Sequence, residues 1–300
     1  METSLPRLRG FGLSARAFRR VAVANVAVLF VIVSSGAFVR LTGSGLGCEH
    51  WPGCNAGTRV LPTDYHAYVE FSNRVVSGVA VFATLATWLL ARLTPALAPW
   101  ARRAAAAAFL GTLAEAPLGA VTVKYHLNPW LVASHFLLSL VVLTLAVLVT
   151  LEAFGVRSDR VPAWARRVGL LVGVSGIVLV VSGTLATAAG PHSGSIAVPR
   201  VWSFQPAVYW HVRATAVFGI SFALLLGWLA LRRLGQVRAA LVVLGVLAVQ
   251  MAIGELQYRW TPALPWWLVL VHVTLAAALW SAITTFVALL WRPGAPRMGR

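Results

Sequence analysis

The chain has 300 residues, 59% of them hydrophobic and 11% charged, with a mean hydropathy of +0.80. Soluble domains carry roughly 25% charged residues, so a soluble globular domain is excluded, as are a disordered chain, a collagen and a disulfide-dense secreted module. The formal charge of +17 does not imply nucleic acid, because the arginines lie in short clusters between apolar runs.

In chain order the apolar stretches are 21–39, 67–91, 104–123, 129–151, 168–189, 207–231, 239–257 and 266–291. Each is long enough to cross a bilayer as a helix, the form in which every backbone amide is satisfied internally. The first follows Arg16, Arg19 and Arg20, yet it exceeds the roughly 7–15 residues of a signal-peptide core and is read as a span. Glu115 with Pro117 interrupts the third stretch, and Glu255 with Gln257 the seventh. Eighteen of the 25 basic residues precede the first span, follow the eighth, or lie in the 2–3, 4–5 and 6–7 connections. Arg40, Arg59, Lys124, Arg200 and Arg259 lie on the opposite side, and Arg74 and Arg213 within spans. Basic residues mark the cytoplasmic side, so both termini are expected in the cytoplasm of a multi-pass plasma-membrane protein. Anionic lipid also attracts these clusters.

The two halves echo each other. Ser35-Gly36-Ala37-Phe38 parallels Ser182-Gly183-Thr184-Leu185, and Leu118-Gly119-Ala120 parallels Ile253-Gly254-Glu255. Pro129-Trp130-Leu131-Val132-Ala133-Ser134-His135 parallels Trp266-Trp267-Leu268-Val269-Leu270-Val271-His272. Four spans per half keep both halves in one orientation, a parallel repeat. The expected fold is an all-α integral membrane protein, its eight helices forming two pseudo-symmetric four-helix bundles. The expected units are a cytoplasmic segment 1–20, a first bundle 21–155, a linker 156–167, a second bundle 168–291 and a cytoplasmic tail 292–300.

Ionisable groups at membrane depth are functional candidates by default. His135, His211 and His272 each fall a few residues inside a span, counted from the outer side. His211 and His272 suit axial ligation of one haem iron by neutral imidazoles on facing helices; purely structural histidines are the alternative. The repeat puts Asn73, a poor haem ligand, in the place of His211. Glu70 and Arg74 flank it, either as a self-neutralising i, i+4 pair or as a proton-transfer carboxylate beside an arginine for an anionic group such as a propionate. Glu115 and Glu255 are open between proton-path, helix-terminal and interfacial roles.

Both cysteines fall in the first outer loop, Gly43-Ser44-Gly45-Leu46-Gly47-Cys48-Glu49-His50-Trp51-Pro52-Gly53-Cys54. On the oxidising side a disulfide is the leading reading, with metal binding by Cys48, Cys54, His50 and His66 a weaker one. Gly190-Pro191-His192-Ser193-Gly194 is the matching loop of the second half, where His192 reads as a solvated or lid residue, and His126 and Asn128 as pocket caps.

Together these segments resemble haem A synthase over nearly the whole chain. The anchors are Gly36 to Cys48, Glu70 to Arg74, Leu127-Asn128-Pro129-Trp130 leading to His135, Gly190 to Gly194, His211 and His272. The resemblance implies oxidation of the C8 methyl of haem O to a formyl group, giving haem A for terminal oxidases. It implies a haem b cofactor on His211 and His272, a substrate haem on His135, Glu70 as the catalytic carboxylate and a Cys48–Cys54 disulfide. Haem O synthase and the oxidase-assembly machinery are the implied partners, and a homo-oligomer is compatible. The family's Glu-x-x-His-Arg motif reads Glu70-Phe71-Ser72-Asn73-Arg74 here, which removes bis-histidine ligation of the substrate. Either His135 holds that iron alone, with Asn73 or water opposite, or another residue supplies the second ligand; we adopt the first. The expected chemistry is successive hydroxylation of one methyl, the gem-diol then losing water. A cytochrome b electron carrier and a transporter are the rival classes.

Overall fold

The computed structural model describes residues 14–50, 54, 62, 64–192, 202–261 and 263–294. Trp51-Pro52-Gly53, Ser193-Gly194 and the basic residues Arg7, Arg9, Arg59, Arg200, Arg297 and Arg300 lie outside them. The described residues form eight helices: α1 Ala15–Leu41, α2 Tyr65–Arg92, α3 Pro99–Lys124, α4 Pro129–Ala153, α5 Ala163–Ala189, α6 Phe204–Leu231, α7 Val237–Trp260 and α8 Trp266–Leu290. All eight are long and apolar enough to cross a membrane.

Local chemistry sets the helix starts. Asp64 caps α2, its carboxylate accepting from the amides of His66 and Ala67. Asn128 caps α4 by accepting from Trp130, with Pro129 in the first turn where a missing N–H costs nothing. Asn128 is therefore a helix cap, which accounts for it without a pocket. Pro117 lies inside α3, yet the helix continues to Lys124, so neither it nor Glu115 ends the span.

Within the first half, α1 packs on α2 and α4, and α3 packs on the same two helices. Within the second, α5 packs on α6 and α8, and α7 on α8, whereas α6 and α7 barely meet. Helix α8 also contacts α1 and α4, and Trp280 on α8 donates its indole N–H towards Leu140 O and Thr144 Oγ1 of α4, at 3.1 and 2.8 Å. Phe218, Phe222 and Phe286 fill the core of the second half. Outward-facing residues such as Leu231, Phe82 and Leu224 are apolar and largely exposed, as a lipid-facing surface requires.

Candidate functional site

Helices α2, α4, α6 and α8 all begin at the end of the molecule that carries the α1–α2 loop. His135, His211 and His272 are the seventh, eighth and seventh residues of α4, α6 and α8.

In the second half, the His211 and His272 rings face each other with centroids 6.5 Å apart and planes at 74°. Two metal–imidazole bonds of about 2 Å plus the half-width of each ring give centroids about 6 Å apart, so the pair fits axial ligation of one iron. Nδ1 of His211 lies 3.0 Å from Ser182 Oγ on α5, a contact that orients the ring and leaves Nε2 for a ligand. Nδ1 of His272 is buried with no hydrogen-bond partner among the described residues. Two glycines make room for the rings. A Cβ on Gly183 would come within 3.1 Å of His211 Cε1, and one on Gly254 within 3.3 Å of His272 Cε1. Both histidines line a cavity of about 1480 Å³ walled mainly by α5–α8, including the poorly joined α6 and α7. A flat apolar macrocycle fits such a space between facing imidazoles. Among the described residues no cluster of three or more His, Cys, Asp or Glu is arranged to hold a bare metal ion.

The same cavity reaches the first half at Gly36, Ala37 and Arg40 of α1 and at His135, Phe136 and Ser139 of α4. His135 Nδ1 lies in close contact with Glu115 Oε2 of α3, and Glu115 Oε1 accepts from Ser139 Oγ at 2.7 Å. On α2, Asn73 Oδ1 accepts from Ser35 Oγ at 2.7 Å. This bond repeats Ser182–His211, so Asn73 stands where the second half has its α6 histidine.

Glu70 is only 4% exposed. Its Oε1 accepts from Arg74 Nη2 at 2.5 Å and its Oε2 from the Cys48 amide at 2.9 Å, while Arg74 Nη1 donates to His50 O at 2.7 Å. The pair thus ties α2 to the α1–α2 loop, in which Cys48 and Cys54 form a disulfide. That bond removes both thiolates from the alternative metal set, and His66 Nδ1 instead contacts Ser44 Oγ at 2.9 Å. The loop crosses α2 so closely that a Cβ on Gly47 would lie 2.4 Å from the His66 carbonyl carbon. Glu70, Asn73 and Arg74 do not line the cavity shared by the three histidines.

The sequence profile of the COX15-CtaA family, cytochrome oxidase assembly protein, matches residues 19–284. The chain belongs to this family. It is 31% identical over 265 residues to a haem A synthase of Symbiobacterium thermophilum, covering 80% of this chain and 85% of that protein. It is 30% identical over 142 residues to one of Geobacillus kaustophilus, covering 45% and 42% respectively. A 92-residue segment is 39% identical to part of a Thermus thermophilus protohaem IX farnesyltransferase, covering 30% of this chain and 15% of that protein.

Within this COX15-CtaA member, sequence reasoning found the three histidines but not what stands behind them. Ser182 and Glu115 sit 29 and 20 positions from His211 and His135, so no local spacing joins them. A usable signal did exist on α3, where Glu115 and Gly119 are four apart and share a face. Gly119 faces His135 as Gly254 faces His272. Glu255 lines the cavity and pairs with Arg259 at 2.7 Å. His192 Nε2 contacts Leu264 O at 2.7 Å at the cavity edge. His126 takes a positive φ of 51° in the α3–α4 turn and does not line the cavity.

Proposed function

We propose that the chain is a haem A synthase of the plasma membrane, with both termini cytoplasmic, that oxidises the C8 methyl of haem O to a formyl group. The observation that carries this reading is the facing His211–His272 pair over a large apolar cavity, in a chain of the COX15-CtaA family. The halves act as two pseudo-symmetric bundles, residues 21–155 for the substrate and 168–291 for the cofactor. His211 and His272 hold a haem b, which supplies one-electron transfer when bound. Ser182 keeps His211 in the ligating tautomer, and Gly183 and Gly254 keep the rings free to approach.

In the first half His135 is the ligand to the substrate iron, with Asn73 too weak a donor to form a second strong bond. Glu70 is the carboxylate that takes or returns protons as the methyl is oxidised, and Arg74 fixes its Oε1. Burial of the farnesyl tail of haem O contributes about 0.8 kcal/mol per CH₂ and separates this substrate from unfarnesylated haem. A haem O synthase and the terminal oxidase stand upstream and downstream. A simple electron carrier would need only the second half and would have no use for the His135–Glu115 pair.

Pigment extraction from the purified protein tests the reading: haem b together with haem O or haem A is expected, and haem b alone contradicts it. Glu70→Gln keeps the bulk that supports the loop. In cells that also make haem O it should lower haem A formation about 100-fold or more; undiminished haem A would remove Glu70 from the mechanism.

A further inference from the structure

The repeat allows each ring nitrogen to be compared with its counterpart. Gly119 and Gly254 are equivalent, both lying against the histidine of the next helix. In that register Glu115 corresponds to Gln250, and Ser139, four residues after His135, corresponds to Ala276, four after His272. The second half therefore has two facing imidazoles and a neutral amide, Gln250, whose Nε2 donates to the His272 backbone carbonyl at 2.9 Å. The first half has one imidazole, an asparagine in place of the other, and a carboxylate on the back of the remaining ring. Glu115 is itself held by Ser139 Oγ at 2.7 Å, and its side chain is 15% exposed. Carboxylate, support and missing imidazole thus occur together in one half and are all absent from the other.

We infer that Glu115 is a positioning residue for the substrate site: it accepts the Nδ1–H of His135, turns Nε2 towards the substrate iron, and strengthens that single bond. The inference rests on the reading of His135 as the substrate-iron ligand. A carboxylate behind a ligating histidine fixes the tautomer and ring orientation and raises the basicity of the ligand. A haem with a single proximal histidine keeps its sixth position open to other ligands. The second half, with two ligands and no carboxylate, is built for electron transfer; the first, with one supported ligand, for chemistry on the bound haem.

The test uses full-length protein carrying its haem b and loaded with haem O, in the wild type and in Glu115→Gln, Glu115→Asp and His135→Ala. The iron–histidine stretching band of the ferrous five-coordinate haem is read by resonance Raman, with the haem b spectrum as internal control. Glu115→Gln should shift the band to lower frequency, weaken haem O binding roughly 10-fold and leave the haem b spectrum unchanged, and Glu115→Asp should bring the band back towards wild type. A band unshifted in Glu115→Gln overturns the role of Glu115 while leaving His135 as ligand. If Glu115→Gln takes up no haem O, binding restored in Glu115→Asp supports the role, and no restoration overturns it. A wild-type haem O spectrum in His135→Ala removes the ligand itself, and the reading of the first half with it.

Discussion

At the scale of single residues, the chemistry depends on small groups that free or fix larger ones. Ser182 holds His211 by Nδ1, so Ser182→Ala should keep the fold but weaken haem retention by roughly 10-fold or more, measured by titrating haem into the stripped protein. Gly47 lets the loop lie against the α2 backbone and presents the Cys48 amide to Glu70. Gly47→Ala should cost about 1–3 kcal/mol as an overpacked contact, read as a lower melting temperature and a larger fraction of Cys48 and Cys54 open to thiol labelling. His135, His211, His272, Glu70 and Arg74 were legible in the sequence because such groups are rare in apolar spans, and the cysteine pair because both cysteines fall in one outer loop. Glu115 stood out as a carboxylate in a span and Ser182 as part of the repeat, but their pairing with His135 and His211 did not, because it arises only from helix packing; Ser139 carried no signal of its own. Glu70 shows the limit from the other side, since its contact with the Cys48 amide depends on how a loop folds back over α2.

Among the elements, α8 is the helix on which the two halves meet. It carries His272 on one side and anchors Trp280 to α4 on another. Trp280→Ala should destabilise the fold by about 3 kcal/mol or more, whereas Trp280→Phe, which loses chiefly the hydrogen bonds, should cost about 1 kcal/mol. Melting temperatures in a fixed detergent separate the two. The eight apolar stretches correspond one to one with the eight helices, because hydropathy over about 20 residues is a strong signal. Most of the helices extend beyond their apolar stretches, as α1 begins at Ala15 and α3 at Pro99. Caps and first-turn prolines extend a helix past its apolar segment without raising its hydropathy. The thin α6–α7 contact was not legible at all, because hydropathy does not say which helices touch.

For the whole molecule, the clustering of arginine that produces +17 is read as topology. A reporter active only in the cytoplasm should be active when fused after Arg300 and silent when fused in the α1–α2 loop; the reverse would invert the assigned orientation. The internal repeat was visible as paired motifs, and Ser35–Asn73 against Ser182–His211 gives it a physical form. The proposed division of labour rests on the difference between the halves, two imidazoles in one and a single imidazole beside a carboxylate in the other. Electron paramagnetic resonance of the oxidised, purified protein tests that division most directly. A low-spin bis-imidazole haem signal should be present in the wild type and in His135→Ala, and absent from both His211→Ala and His272→Ala. Its persistence after either of the latter substitutions would contradict the account.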